Sequence, residues 1–292
     1  MNTQASRQWQ GWFYLAPALL FVAVLVVIPF GQLIVMSMTD RSLLGGGKFI
    51  GFANYVRIWN DSGFWRALLF TAKYTTVLTP ILMILGFGLA LLTADNTPVK
   101  RLTRTIIFLP VVIGLSSSSL LWFWLFDEQV GLLNKLLVGL RVIAQPMVWF
   151  ASADLAFWAI VISITWKVVG FGMVLFIAAI QSIDREILEA AIIDGAGYWK
   201  RAFLIIVPLS RRIILLATLV SAIGSMLAFD QFYIMTSGGP RGQTFTAVYW
   251  IYQNSFVSFR LGYGAALSIV LTLIIFVFAT LQVGLTARSE AQ

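Results

Sequence analysis

Glu189-Ala190-Ala191-Ile192-Ile193-Asp194-Gly195-Ala196, followed by Phe203, Ile205 and Pro208, is a polar segment inside an apolar chain. It lies between stretches from about 155 to 181 and from about 213 to 235. Each is long enough to cross a bilayer, which takes about 20 residues. Ser182 is placed to cap a helix, with Asp184 and Glu186 in its first turn, where the helix dipole favours acids. Ile183, Ile187 and Ala191 recur at i, i+4 and i+8 and give one apolar face, with Arg185, Glu186 and Glu189 mostly off it. Ala190 and Ala191 are small enough for another surface to approach the backbone. Gly195 and Gly197 stop the helix and permit a sharp reversal. A second short helix, about 198 to 207, carries Trp199 and Phe203, and Pro208 ends it. On these residues alone the segment is either an amphipathic helix lying at the headgroups or a lever that another protein grips.

The surrounding composition sets the class. Of 292 residues, 60% are hydrophobic and only 11% are charged, against roughly 25% charged in soluble domains. The chain is therefore read as an all-α polytopic membrane protein. Its net charge of +8 does not form a nucleic-acid stripe, because the basic residues cluster between apolar runs. There is no cysteine and no histidine, which removes disulfides, thiol nucleophiles, Ser-His triads and His-ligated metals. No metal site and no catalytic residue is expected.

Six spans are predicted, at about 12–38, 67–92, 105–126, 155–181, 213–235 and 261–286, with 182–212 as the loop between the fourth and fifth. The first residues lead into an apolar stretch without a small-residue cleavage site, so the first span is read as a retained helix. With the N-terminus inside, inner segments hold ten Lys and Arg against eight outside. Lys100, Arg101 and Arg104, with Arg211 and Arg212, crowd the inner boundary. The positive-inside rule then puts both termini in the cytoplasm. Trp9, Trp12, Trp65, Trp149, Trp158 and Trp250 fall near predicted interfaces. There is no internal repeat and no linker, so one transmembrane domain over 1–292 is expected.

Lys73, Lys167 and Asp230 lie within predicted spans, where a charge costs about 2.5–3.5 kcal/mol on insertion scales. Lys73 is near a span end and can snorkel. Asp230 has three open roles: pairing with a lysine, hydrogen bonding locally, or binding solute. Lys167, close to mid-depth, is either half of a structural ion pair or a solute contact. In the fifth span Ala217, Ser221, Gly224, Ser225 and Ala228 form a stripe of small residues. Such a stripe serves close helix packing or turns its hydroxyls to a solute path.

Glu189-Ala190-Ala191, three residues, Asp194-Gly195-Ala196 and then Ile205-x-x-Pro208 resemble the EAA motif of permease subunits of bacterial ABC importers. Three further stretches resemble the carbohydrate branch, near the maltose and glycerol-3-phosphate permeases: Phe49 to Tyr55, Gly238-Gly239-Pro240 with Thr244, and Gly262 to Ala266. Asp184 departs from the pattern, standing where the family often has proline. The resemblance implies a type I importer permease fold in the bacterial inner membrane. It implies that Glu189, Ala190, Ala191, Asp194, Gly195, Ala196 and Pro208 form a coupling element docked on an ATPase. It also implies a mid-membrane solute site on the helices flanking that loop, where Lys167, Phe171, Ser221, Ser225 and Asp230 lie, with Ser117 from the third span. The implied partners are a second permease in a heterodimer, an ATPase pair carrying ATP and Mg, a periplasmic or lipid-anchored substrate-binding protein, and a small-molecule sugar. Nucleic acid is not among them.

No G-x-x-x-x-G-K-[ST] loop is present to cradle phosphates, so this chain is expected to bind no nucleotide itself and to catalyse nothing. Lys167 suits an anionic sugar, such as a phosphate- or sulfonate-bearing glycoside. The alternative is an ion-coupled secondary transporter, which predicts inverted repeats and intramembrane carboxylates. An intramembrane Ser-Lys enzyme is a third reading, with Lys167 as its base.

Overall fold

The computed structural model describes residues 14–290, without the side chains of 285–290. Arg7, Trp9 and Trp12 lie outside the described residues, as does the side chain of Arg288. The elements are α1 (Tyr14–Ser37), α2 (Ala53–Trp59), α3 (Ser62–Thr93), α4 (Pro98–Val112), α5 (Leu115–Leu125), α6 (Leu132–Gly139) and α7 (Ala153–Gln181). They continue with α8 (Arg185–Ile193), α9 (Tyr198–Leu209), α10 (Arg211–Met226), α11 (Asp230–Thr236), α12 (Ala247–Tyr252) and α13 (Leu261–Glu290). Among the described residues there is no strand, only isolated bridges at Thr39–Phe49 and Ser42–Gly45.

Helices α1, α3, α7 and α13 are each long and apolar enough to cross a membrane. The pairs α4–α5 and α9–α10 pass the same test together but bend by 99° and 76°, and counting each pair as one gives six. Two expectations need correcting. The third span is not straight over 105–126: it starts at Pro98 and breaks at Ile113 and Gly114. Pro110 has no N–H to continue the ladder, and Ile113 turns extended. The fifth span does not reach 235. It ends at Met226, and Asp230 opens the separate helix α11. The Thr246 hydroxyl donates to the Ala228 carbonyl at 2.7 Å, so a side chain distant in sequence takes up a carbonyl that a continuing helix would use.

The chain forms two compact units, one holding the chain up to Ser62 with Ile251–Ile274, the other Gly63–Trp250 with the chain from Ile275. In the first unit the end of α1 is tied to the loop after it. Asn54 donates from Nδ2 to the carbonyls of Ser37 and Thr39, both at 2.8 Å, and the hydroxyls of Ser37 and Tyr55 lie 2.6 Å apart. The Gly262 amide donates to the Arg41 carbonyl at 2.9 Å. A Cβ at Gly262 would lie 2.0 Å from the Thr39 carbonyl oxygen, so this joint requires glycine. The stretches around Phe49–Tyr55 and Gly262–Ala266 thus build one joint.

In the second unit, Tyr74 on α3 packs edge-on against Phe157 of α7 and Phe232 of α11, with ring centroids 6.2 and 5.0 Å apart. Ala90, Met173, Phe176, Ile177, Ile180, Ile206 and Ala217 form a further buried cluster. Close approach of α7 to α4 sets Gly170: a Cβ there would stand 2.5 Å from the Ile107 carbonyl oxygen.

Candidate functional site: a lever and a cavity

The 182–212 loop folds as two helices joined by a glycine turn. Contrary to expectation, Ser182 does not cap α8. It ends α7, its hydroxyl donating back to the Ala179 carbonyl at 2.7 Å. Asp184 takes the cap position of α8 without a side-chain cap bond, and Glu186 lies in the first turn. The C-terminus closes as a Schellman motif: the Gly195 amide donates to Ile192 and the Ala196 amide to Ala191, at 3.0 and 2.8 Å. Gly195 holds φ +76°, and a Cβ placed there would meet no atom within 4 Å, so backbone conformation, not space, requires glycine. Gly197 has φ −65° and simply precedes α9. Pro208 does not end the second helix: the chain runs to Leu209, and the bend into α10 comes at Ser210.

The face of α8 differs from the predicted register. Ala191 is buried, and Leu188 and Ile183 pack against the cluster around Met173 and Ile206. Ile187 turns outward instead, because Leu188 and Ala191 carry the inward stripe at i, i+3. Glu189, Ala190, Asp194 and Gly195 are exposed, and Ala196 is half-buried. Around them stand uncovered apolar side chains: Ile193 is 87% exposed, Trp199 66% and Phe203 58%. Trp199 and Phe203 stack with centroids 6.0 Å apart.

Between α3, α5, α7, α10 and α11 lies a cavity of about 270 Å³. Phe171, Ser221 and Ser225 line it, three of the six residues predicted for the path. The Ser225 hydroxyl is turned to the Ser221 carbonyl, 2.8 Å away. Ser117, Lys167 and Asp230 are not brought to its wall. Asp230, at the start of α11, accepts a hydrogen bond from the Ser116 hydroxyl at 2.7 Å. Ser117 is exposed on α5. Lys167, only 7% exposed, donates from Nζ to the Val111 carbonyl at 2.9 Å. That carbonyl belongs to the last turn of α4, where helix carbonyls lack partners and a cation is favoured. Lys73 pairs with Asp154 at 3.5 Å, and both side chains are exposed, a pair of little energetic worth.

Tyr74 and Gln231 are functional candidates that the sequence pattern did not single out. Gln231, 3% exposed, lines the cavity and donates from Nε2 to the Tyr74 hydroxyl at 3.3 Å. Its Oε1 is buried without a hydrogen-bond partner, a costly condition for an amide oxygen. The signal in the sequence is an amide beside Asp230 in an apolar run, overshadowed there by the neighbouring carboxylate.

The model of the family described as "Binding-protein-dependent transport system inner membrane component" matches residues 83–290. The chain is 36% identical over 282 residues to the lactose transport system permease protein LacF of Rhizobium radiobacter, covering 93% of this chain and 92% of that protein. It is 35% identical over 259 residues to the sulfoquinovosyl glycerol transport system permease protein SmoG of Agrobacterium fabrum, covering 88% and 83%. Among solved structures, a bacterial alginate ABC transporter in complex with an alginate pentasaccharide-bound periplasmic protein contains a chain that superposes with TM-score 0.85 at 19% identity, covering 98% of this chain and 96% of that one. The chain belongs to the binding-protein-dependent transport system inner membrane component family, and is a multi-pass permease subunit of the ABC importer fold rather than an enzyme.

Proposed function

We propose that this chain forms half of the translocation path of an ATP-driven importer for a sugar or sugar derivative, moved by an ATPase that grips the 182–212 loop. One observation carries the reading: the loop is a bent, capped lever, packed by Ile183 and Leu188 onto the span ends, that leaves Ile193, Trp199 and Phe203 uncovered beside Glu189 and Asp194. Apolar surface of this kind marks a protein interface. A lever joined rigidly to α7 and α10 converts ATPase closure into rocking of the spans, one of the rigid-body switching motions. ATP and Mg sit on the ATPase pair. A second permease supplies the other half of the path, and a substrate-binding protein delivers the solute outside. Both termini of this chain lie in the cytoplasm.

A carbohydrate suits the cavity. Phe171 offers a ring face for a sugar's C–H face, and Gln231 an amide oxygen for a hydroxyl. Two relatives are named for transport of glycosides, lactose and sulfoquinovosyl glycerol. An anionic derivative would draw on Lys167, one turn from Phe171: it has no carboxylate partner among the described residues, and its Nζ, held off the cavity wall by the Val111 carbonyl, would have to exchange that bond for the solute. That finer reading is tested by uptake of a neutral glycoside and its sulfonated counterpart in Lys167→Ala; equal loss for both removes it.

The function itself is tested with a single reporter thiol, since the chain has no cysteine. Glu189→Cys should cross-link to the ATPase in the assembled complex, and uptake into proteoliposomes should need both ATP and the binding protein. Uptake driven by a proton or sodium gradient without ATP would instead establish an ion-coupled transporter.

A further inference from the structure

A pocket in the first unit is used by neither the lever nor the cavity. It has a volume of about 410 Å³ and is walled by the loop after α1, by α2 and by the start of α13. Arg41, Arg57 and Arg260 all line it. One carboxylate, Asp40, shares the wall, and it accepts the backbone N–H of Lys48. Neither Arg41 nor Arg260 makes a side-chain hydrogen bond or ion pair among the described residues. The guanidinium of Arg57 lies 4.6 Å above the ring of Tyr263, whose hydroxyl donates to Asp61 at 2.6 Å. The walls are rigid: Asn54 ties the end of α1, and the Arg41 carbonyl is held by the Gly262 amide. Three arginines lining one hollow outnumber the carboxylates beside it, Asp40 on the wall and Asp61 at the Tyr263 hydroxyl, and leave net positive charge suited to an anion.

Depth identifies the anion. Arg260 directly precedes Leu261, the first residue of one span, and Arg41 follows Ser37, the last residue of another, by four positions. The pocket therefore sits where a span leaves the hydrocarbon, at headgroup level. Phe49, Phe52 and Trp59, close in sequence to the wall residues Ile50, Ala53 and Arg57, are exposed, and tryptophan gathers at that depth. We propose that the pocket binds the phosphate headgroup of an anionic phospholipid, anchoring the joint between α1 and α13. The occupant is a lipid of the surrounding bilayer, independent of the transported solute.

The test uses the purified full-length chain in neutral detergent, titrated with phosphatidylglycerol or phosphatidylcholine and read by native mass spectrometry. Phosphatidylglycerol should be retained in preference. Arg41→Gln with Arg260→Gln should weaken that retention roughly thirtyfold, each basic residue near the headgroup contributing a factor of about five. Arg41→Lys with Arg260→Lys should keep most of it. Circular dichroism without lipid checks the fold, and the wild-type preference between the two lipids decides even if the double variant fails to fold. Equal retention of both lipids overturns the proposal. So does equal phosphatidylglycerol retention by wild type and a folded double variant. If inorganic phosphate protects the chain as well as the lipid does, the pocket is an oxyanion site and the lipid assignment falls. It falls equally if the double variant loses binding-protein docking with lipid retention unchanged.

Discussion

The lever at 182–212 and the cavity between α7 and α10 leave opposite things unsatisfied. The lever leaves apolar surface in the open: Ile193, Trp199 and Phe203 are uncovered, while its backbone is capped by the Gly195 turn. The cavity leaves a polar atom in the dark: the Oε1 of Gln231 is buried without a partner, while mostly apolar side chains line the rest of the hollow. An uncovered apolar patch on a rigid element is covered by a protein surface. A buried amide oxygen beside a hollow is satisfied by a hydroxyl-bearing solute. The two regions therefore point to different partners, a large one below and a small one within, and in the proposed function the helices α7 and α10 that join them serve as the transmission.

The largest expected effect separates backbone from surface in the lever. Gly195→Val puts a β-branched residue at φ +76°, where even an ordinary side chain costs about 1–2 kcal/mol. Uptake should vanish while membrane insertion, followed by immunoblot, is normal. Gly195→Asn tolerates that conformation and should retain much of the transport. Normal uptake by the valine variant would break the lever half of the comparison, and equal loss by both would show that the partner reads the glycine itself.

A smaller effect tests the cavity. Gln231→Leu keeps the volume but removes the unsatisfied oxygen and the bond to Tyr74. At saturating binding protein the transport rate should fall about fivefold, the loss of one hydrogen bond of roughly 1 kcal/mol, with assembly unchanged on size-exclusion chromatography. A transport rate equal to wild type would leave the cavity without a solute role.

Lys167→Met probes the transmission instead. It strips the donor from the Val111 carbonyl at the end of α4. Thermal unfolding should register a loss of about 1–3 kcal/mol for the orphaned carbonyl. An unchanged melting temperature would sever Lys167 from the stability of the broken span.

The smallest effect lies outside both regions and serves as their control. The amides of Val130 and then Gln129 donate to the Asp127 carboxylate, each at 2.9 Å, and hold its pKa below the usual carboxylate range. A depressed folded value means the turn is stabilised above the ordinary carboxylate pKa and loses that support as pH falls through the lowered one. The protection of the Gln129 and Val130 amides from exchange, taken relative to the intrinsic rate at each pH, should therefore fall on acidification in wild type but show no such carboxylate-linked step in Asp127→Asn, with transport at neutral pH unaltered in the variant.

How much was legible follows the range of each interaction. The lever could be read because its parts are close in sequence: the polar run, the glycine at the reversal and the apolar residues around it. Its register slipped by one residue at Ile187 and Leu188, since both are apolar and only packing on Met173 and Ile206 chooses between them. The cavity was half legible. Phe171, Ser221 and Ser225 lie on predicted spans and line the hollow, but Lys167 and Asp230, placed there by their charge and by the family's site, stand off its wall. Their partners, Val111 and Ser116, belong to α4 and α5, so no local pattern announces them.

Composition by itself determined that this chain lives in a membrane, because so little charge cannot clothe a soluble core, and the EAA pattern determined its family, because that spacing encodes a local turn with its own hydrogen bonds. Only the tertiary structure decided where two of the spans break, which groups Lys167 and Asp230 meet, and that Gln231 and three arginines line hollows. Those outcomes depend on which distant groups meet, and an apolar run records that a segment enters the bilayer without recording what it meets there.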